Sequence, residues 1–252
     1  EPPLAADLIK PKDLVMLVVP IDLAAPKGRL ILPQVQVLRE VLDAGAMALT
    51  VKESEVTDML RGLAAKPALV ITDSQAVREV AAAVPEDIRL TTFSTLFARY
   101  KGDFAAQLAG AAAIDTLKDG DRVLIAEGCS HHVTCDDIGR VKIPNWMKKY
   151  TGRELKFEWT QGADFPDNLE DYALVVHCGG CMLNRAEVRR RINECARQGV
   201  KVTNYGIVIS KMQGVLERVV KGIADAGATG SVSDTGSISD TGSISDTGEE
   251  GD

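Results

Sequence analysis

Apolar residues along the chain fall into two alternating patterns: short unbroken runs, and segments in which they recur every three or four positions. Asp13-Leu-Val-Met-Leu-Val-Val-Pro20 is of the first kind, as expected of a strand buried on both faces. Over 34–44, Val35, Leu38, Val41 and Leu42 keep helical spacing, and Gly45 supplies the stop. Residues 47–51 predict a second strand, and Ser54 or Thr57 opens a helix toward Leu63. Residues 68–72 predict a third strand, 75–83 a helix capped by Asp73 or Ser74, and 88–91 a fourth strand. Strands and helices in such close order imply a parallel sheet with helices on its faces.

A second cycle starts near Lys101-Gly102. Phe104, Leu108, Ala111 and Ala112 share a helical face, 118–121 is a turn, and 122–126 is a buried strand. An amphipathic helix is expected over 146–150, strands over 155–159, 172–176 and 200–203, and helices over 186–197 and 212–220. The expected fold class is α/β: two domains with mainly parallel sheets flanked by helices, plus a disordered acidic C-terminal tail. The expected divisions are 1–98, 99–224 and 225–252. Residues 231–248 are three copies of a hexamer, Ser-Val-Ser-Asp-Thr-Gly once and Ser-Ile-Ser-Asp-Thr-Gly twice. With one aliphatic residue per copy, this stretch cannot offset its own ordering entropy.

The charge is as uneven as the hydropathy. Seven acids follow Lys221 with no further Lys or Arg, so the tail carries the whole net charge of −7. Before it, 29 basic residues face 29 acidic ones, a balance that argues against nucleic acid as a partner. No apolar run reaches the ~20 residues of a membrane span, and Glu1-Pro2-Pro3-Leu4 does not resemble a signal peptide. Without an initiator Met, the chain is read as a fragment of something longer. Five cysteines, an odd number, point to a reducing compartment, hence to the cytoplasm, where clustered thiols bind metal more often than each other.

All three histidines lie beside cysteines. Cys129-Ser-His131-His132, with Cys135 just beyond, follows the strand at 122–126; His177-Cys178-Gly-Gly-Cys181 follows the strand ending at Val176. Loops leaving the carboxyl ends of parallel strands share one edge of the sheet, so the two groups can converge across the 45 residues between His131 and His177. Gly179 and Gly180 permit a tight turn that leaves amides free to point at sulfur. Asn184 with Glu187 matches a reciprocal N-cap, so a helix starts just after Cys181, and Arg185, Arg189, Arg190 and Arg191 add positive charge. Three sulfurs and neighbouring histidines fit either a closed zinc site or a [4Fe–4S] cluster with one open iron, and the spacing leaves both open. Cys135 is read as a spare thiol, Cys195 as a core residue, Trp146 and Trp159 as packing residues, and Asp136-Asp137 as a cap with its neighbouring acid. A zinc-stapled partner-binding protein is the alternative function; a metal-dependent hydrolase is disfavoured because no general base accompanies the thiols.

Cys129-x-His131, a long spacer and His177-Cys178-x-x-Cys181, together with Gly28-Arg-Leu-Ile-Leu-Pro-Gln34 after the first strand, resemble HydF, the maturation-GTPase family of [FeFe]-hydrogenase, over about residues 1–220. The resemblance implies a dimerisation domain followed by a cluster-binding domain. Cys129, Cys178 and Cys181 would then hold a [4Fe–4S] cluster. His131 and His177 would serve as exchangeable or supporting groups, and Asn184 and Arg185 would face the negative charge of a diiron precursor carried as cargo. Its implied partners are a second copy through the N-terminal domain, apo-[FeFe]-hydrogenase and radical-SAM maturases. The family's GTP-binding domain has no counterpart here: no Gly-x-x-x-x-Gly-Lys-Ser/Thr occurs, so a non-enzymatic scaffold is expected.

Overall fold

The computed structural model describes residues 3–21, 29–128 and 137–224. Two four-stranded, all-parallel sheets follow one another along the chain. The first contains β1 (Leu14–Val18), β2 (Met47–Val51), β3 (Leu69–Thr72) and β4 (Leu90–Thr92) in the order β2-β1-β3-β4. The second contains β5 (Arg122–Ala126), β6 (Lys156–Thr160), β7 (Leu174–His177) and β8 (Lys201–Asn204) in the order β6-β5-β7-β8. The two orders are the same arrangement, and the edge strands β2 and β6 share the same sequence of exposed and buried positions.

Central strands β3 and β7 are buried throughout, as their unbroken apolar sequences require. Alternate residues feed opposite faces. Val15, Leu17, Leu69 and Ile71 join one core, while Met16, Val18, Val70 and Leu90 join another. In the second sheet Val123, Ile125, Leu174 and Val176 face one core, and Leu124, Ala126, Val175 and Val202 the other. Helices α1 (Leu32–Asp43), α2 (Val56–Gly62) and α3 (Val77–Ala83) cover the first sheet. A π-helical turn at Ile138–Lys142 leads into α6 (Ile143–Thr151), which with α7 (Arg185–Arg197) covers the second. Asp73 caps the turn before α3 by accepting the Gln75 amide.

Between the sheets lie two helices that the periodicity does not announce, α4 (Phe93–Lys101) and α8 (Tyr205–Met212). Each starts on the residue after a strand, with no loop, and a polar strand-end residue caps it. Thr92 accepts the Thr95 amide, and Asn204 accepts the Gly206 amide. Residues 205–210 are all buried, so α8 has no polar face to reveal it. The expected 212–220 helix is instead the end of α8 followed by α9 (Leu216–Ala224), and the fourth strand sits one to two residues later than the pattern suggested.

Helix α5 (Phe104–Ala112), capped by Asp103, opens the second unit and packs along that unit's β8, whereas α9, which closes the unit, crosses to pack along β4 of the first. Both contacts are close approaches of backbone to backbone. A Cβ on Gly110 would overlap the Val202 carbonyl, and one on Gly222 would overlap the Leu90 carbonyl.

Candidate metal centre

His177 is the last residue of β7, not the first beyond it, and sits in register with Ala126 on one side and Asn204 on the other. The next amide, Cys178 N–H, still follows the ladder and donates to the Ala126 carbonyl at 2.9 Å. The chain then turns. Gly180 takes φ +60°, and a Cβ there would lie 3.0 Å from Val188 Cγ2, so glycine is the residue that fits. Cys178 Sγ accepts two amides, Gly128 N–H at 3.0 Å and Gly180 N–H at 3.3 Å. Amide donors aimed at sulfur favour its thiolate form. Gly128, joined by a peptide bond to Cys129, is therefore in direct contact with the sulfur of Cys178. Cys129, His131, His132, Cys135 and Asp136 lie outside the described residues, as does the hexamer repeat.

Half-buried Cys178 packs against the second unit's core, whereas half-buried Cys181 packs against the first unit's. Beneath them is a residue without any sequence signal. Lys101, the last residue of α4, is 7% exposed. Its ammonium donates to the carbonyls of Gly180 at 2.8 Å, Cys181 at 3.2 Å and Leu183 at 2.7 Å. Burial lowers its pKa, and the sulfurs of Cys181 and Cys178 pull it part of the way back.

His177 is 1% exposed. Its Nδ1 lies 2.7 Å from the Cys178 carbonyl, an acceptor, so Nδ1 carries the proton and Nε2 a lone pair. Burial brings the imidazole pKa down to about 4, which keeps the ring neutral at pH 7. Nε2 is buried without a partner among the described residues. Nearby, buried Glu127 stands one residue past β5, with Arg140 and Gln161 each 3.4 Å and the Tyr205 hydroxyl 3.5 Å from its carboxylate. Burial, with the charges of Cys178, Glu127 and Asp137 beside it, raises the Tyr205 phenol well above its ordinary value. Asp137 caps the π-helical turn by accepting the Arg140 amide at 2.8 Å. Glu127 and Tyr205 did not stand out in the sequence; a carboxylate directly after an unbroken apolar strand was the available signal for the first.

On the far side of the turn, Asn184 caps α7 by accepting the Glu187 amide at 2.8 Å. The reciprocal half expected of that cap does not form. Glu187 turns instead to Arg190 and Arg191, with N–O distances of 2.8 Å to each, and these partners hold its carboxyl down to about 2. Arg191 is fully buried and also donates to the Gly162 carbonyl, so two of the four arginines expected to charge the site are engaged elsewhere. Arg185 is half-buried at the start of α7 and Asn184 is exposed. Cys195 is buried beside Val188 and Ile192, and burial pushes its thiol up to about 12. Trp146 packs on the core, and Trp159 donates its indole N–H to the Gly139 carbonyl at 3.0 Å.

Among the described residues no three Cys, His, Asp or Glu side chains gather as a metal-holding group. They do supply two thiols on one tight turn, one already wrapped by amides. That donor set fits a metal–thiolate centre.

Family profiles for two domains match in succession, the hydrogen maturase F dimerization domain over residues 4–102 and its tetramerization domain over residues 105–222. No curated protein matches the chain. Among solved structures, an NtrC family transcriptional regulator from Clostridium acetobutylicum is 12% identical with a TM-score of 0.25, covering 83% of this chain and 98% of that one. A putative LacI-family transcription repressor from Corynebacterium glutamicum is 13% identical with a TM-score of 0.26, covering 82% and 89%. Likenesses this slight bear on neither fold nor function. Two domains of one family, matched in order over nearly all of the described residues, make this chain a member of the hydrogen maturase F (HydF) family.

Proposed function

We propose that this chain is a non-catalytic metallocluster scaffold of hydrogenase maturation, in which Cys129, Cys178 and Cys181 hold a [4Fe–4S] cluster. Membership of the family gives the maturation role. The observation that supports the ligand set is the pair of amides on Cys178 Sγ, one of them from Gly128, the neighbour of Cys129. When bound, such a cluster supplies one iron open to an exchangeable ligand. The chain's own residues do the rest. Gly128 and Gly180 donate to sulfur, buried His177 holds the Cys178 carbonyl, and Asn184 and Arg185 stand at the helix start where a cargo's negative charge is favoured. The cargo is a diiron precursor with carbonyl and cyanide ligands, made with radical-SAM maturases and passed to apo-[FeFe]-hydrogenase. A carrier must also let go, which suits an exchangeable fourth ligand, with His131 a candidate.

The homodimer is proposed to form through the first unit. Val35 and Leu42 on α1 and Met47 on the edge strand β2 are large, apolar and 44%, 54% and 54% exposed. Anaerobic reconstitution with iron and sulfide tests the scaffold. The expected product is brown, with about four irons and four sulfides per chain. Cys178→Ala and Cys181→Ala abolish its charge-transfer absorption, and Cys195→Ala retains it. A colourless protein holding one tight zinc, or iron that survives both ligand replacements, overturns the assignment.

A further inference from the structure

Lys101 is matched to the metal-site turn proton for proton. An ammonium has three N–H donors and no acceptor, and here each has a carbonyl: Gly180, Cys181 and Leu183. The Phe97 ring, 5.3 Å from Nζ, closes the cage with its electron-rich face. The turn is therefore polarised. Its carbonyl oxygens point down to the cation, while the Gly180 amide points at Cys178 Sγ, and Leu183 N–H closes the turn on the Gly180 carbonyl at 3.0 Å. A plain structural staple would need no charge; an apolar side chain there would avoid the cost of burying an ammonium. What distinguishes this position is two thiols carried by the turn that the cation holds.

We infer that Lys101 is a positioning residue of the metal centre: α4 of the first unit fixes the Cys178–Cys181 turn from beneath and sets a positive charge under the anionic group those sulfurs hold. The inference rests on Cys178 and Cys181 being ligands, and it makes the centre a joint product of both units. With its ammonium removed, the Cys181 and Leu183 carbonyls lose their donor, the Gly180 carbonyl is left with the Leu183 amide alone, and the turn loosens. The electrostatic consequence is separate, because a nearby cation stabilises the more negative, reduced state of a metal–sulfur group.

The test uses the full chain with Lys101→Met and Lys101→Arg. In the metal-free protein, amide hydrogen exchange at Gly180 and Leu183 accelerates more than about tenfold in Lys101→Met, while the Cys178 amide, tied to the β5 ladder, keeps its rate. In reconstituted protein with full iron content, the midpoint reduction potential falls in Lys101→Met and returns toward the parent value in Lys101→Arg. A role confined to packing predicts no such recovery by charge. Parent-like exchange in the turn, or an unchanged potential in iron-replete Lys101→Met, overturns the inference. Should circular dichroism show Lys101→Met unfolded, Lys101→Gln, neutral but still a donor, carries the expectation for the potential: a fall as in Lys101→Met supports the inference and a parent value overturns it. Failure of the ligand assignment is seen separately, as iron retained in Cys178→Ala and Cys181→Ala, whereas the exchange measurement reads the grip of Lys101 without any metal.

Discussion

Glu187 shows how a single side chain departs from its local pattern. Its spacing from Asn184 is that of a reciprocal cap, yet its carboxylate goes forward to Arg190 and Arg191. The cap was legible because it needs only neighbours in sequence; the turn toward Arg191 was not, because Gly162 from a distant loop fixes that guanidinium. With the folded pKa near 2, below its value in the unfolded chain, Glu187 contributes stability that is complete above the ordinary carboxylate range. That contribution drains away as pH falls toward 2. Glu187→Gln should therefore lower the urea midpoint at pH 7 and leave it almost unchanged near pH 2; an equal loss at both values would show the carboxylate's charge to be irrelevant. Lys101 was illegible for a related reason. Its partners are three backbone carbonyls, which no side-chain motif encodes, whereas the His177–Cys181 motif is visible because all its residues share one short turn.

At the scale of elements, strands and outer helices followed their hydrophobic period closely, and the two inner helices escaped it. Helix α4 buries Phe93, Thr95, Leu96, Phe97, Ala98 and Lys101, and α8 is sealed along residues 205–210. A helix wet on no side shows no amphipathic stripe, and the β-branched run Ile207-Val208-Ile209 reads locally as strand. Starting on the residue directly after a strand, each also lacks the turn residues that punctuate the rest of the chain. Helix α1 is the opposite case, with apolar residues on its outer surface as well as its inner one. Replacing Val35 and Leu42 together with Asp should shift the mass measured by light scattering to that of a smaller assembly while leaving the far-ultraviolet spectrum intact. An unchanged mass would move the dimer contact elsewhere.

Across the whole molecule, two units with the same strand order are tied together by α9, which ends the second unit yet lies on β4 of the first. Neither the repetition nor the crossing was visible in the sequence, because equivalent strands match in pattern and not in residues. Truncation after residue 214 tests the crossing. It removes Val219 and Ile223, two buried aliphatic side chains worth together about 3–6 kcal/mol, and should bring on early proteolysis within residues 3–102 rather than near the missing segment. Protection of the first unit after truncation would contradict that dependence. With Gly222 laid directly against the Leu90 carbonyl, prising one half of the protein from the other would first have to peel a whole helix off the strand edge it shields.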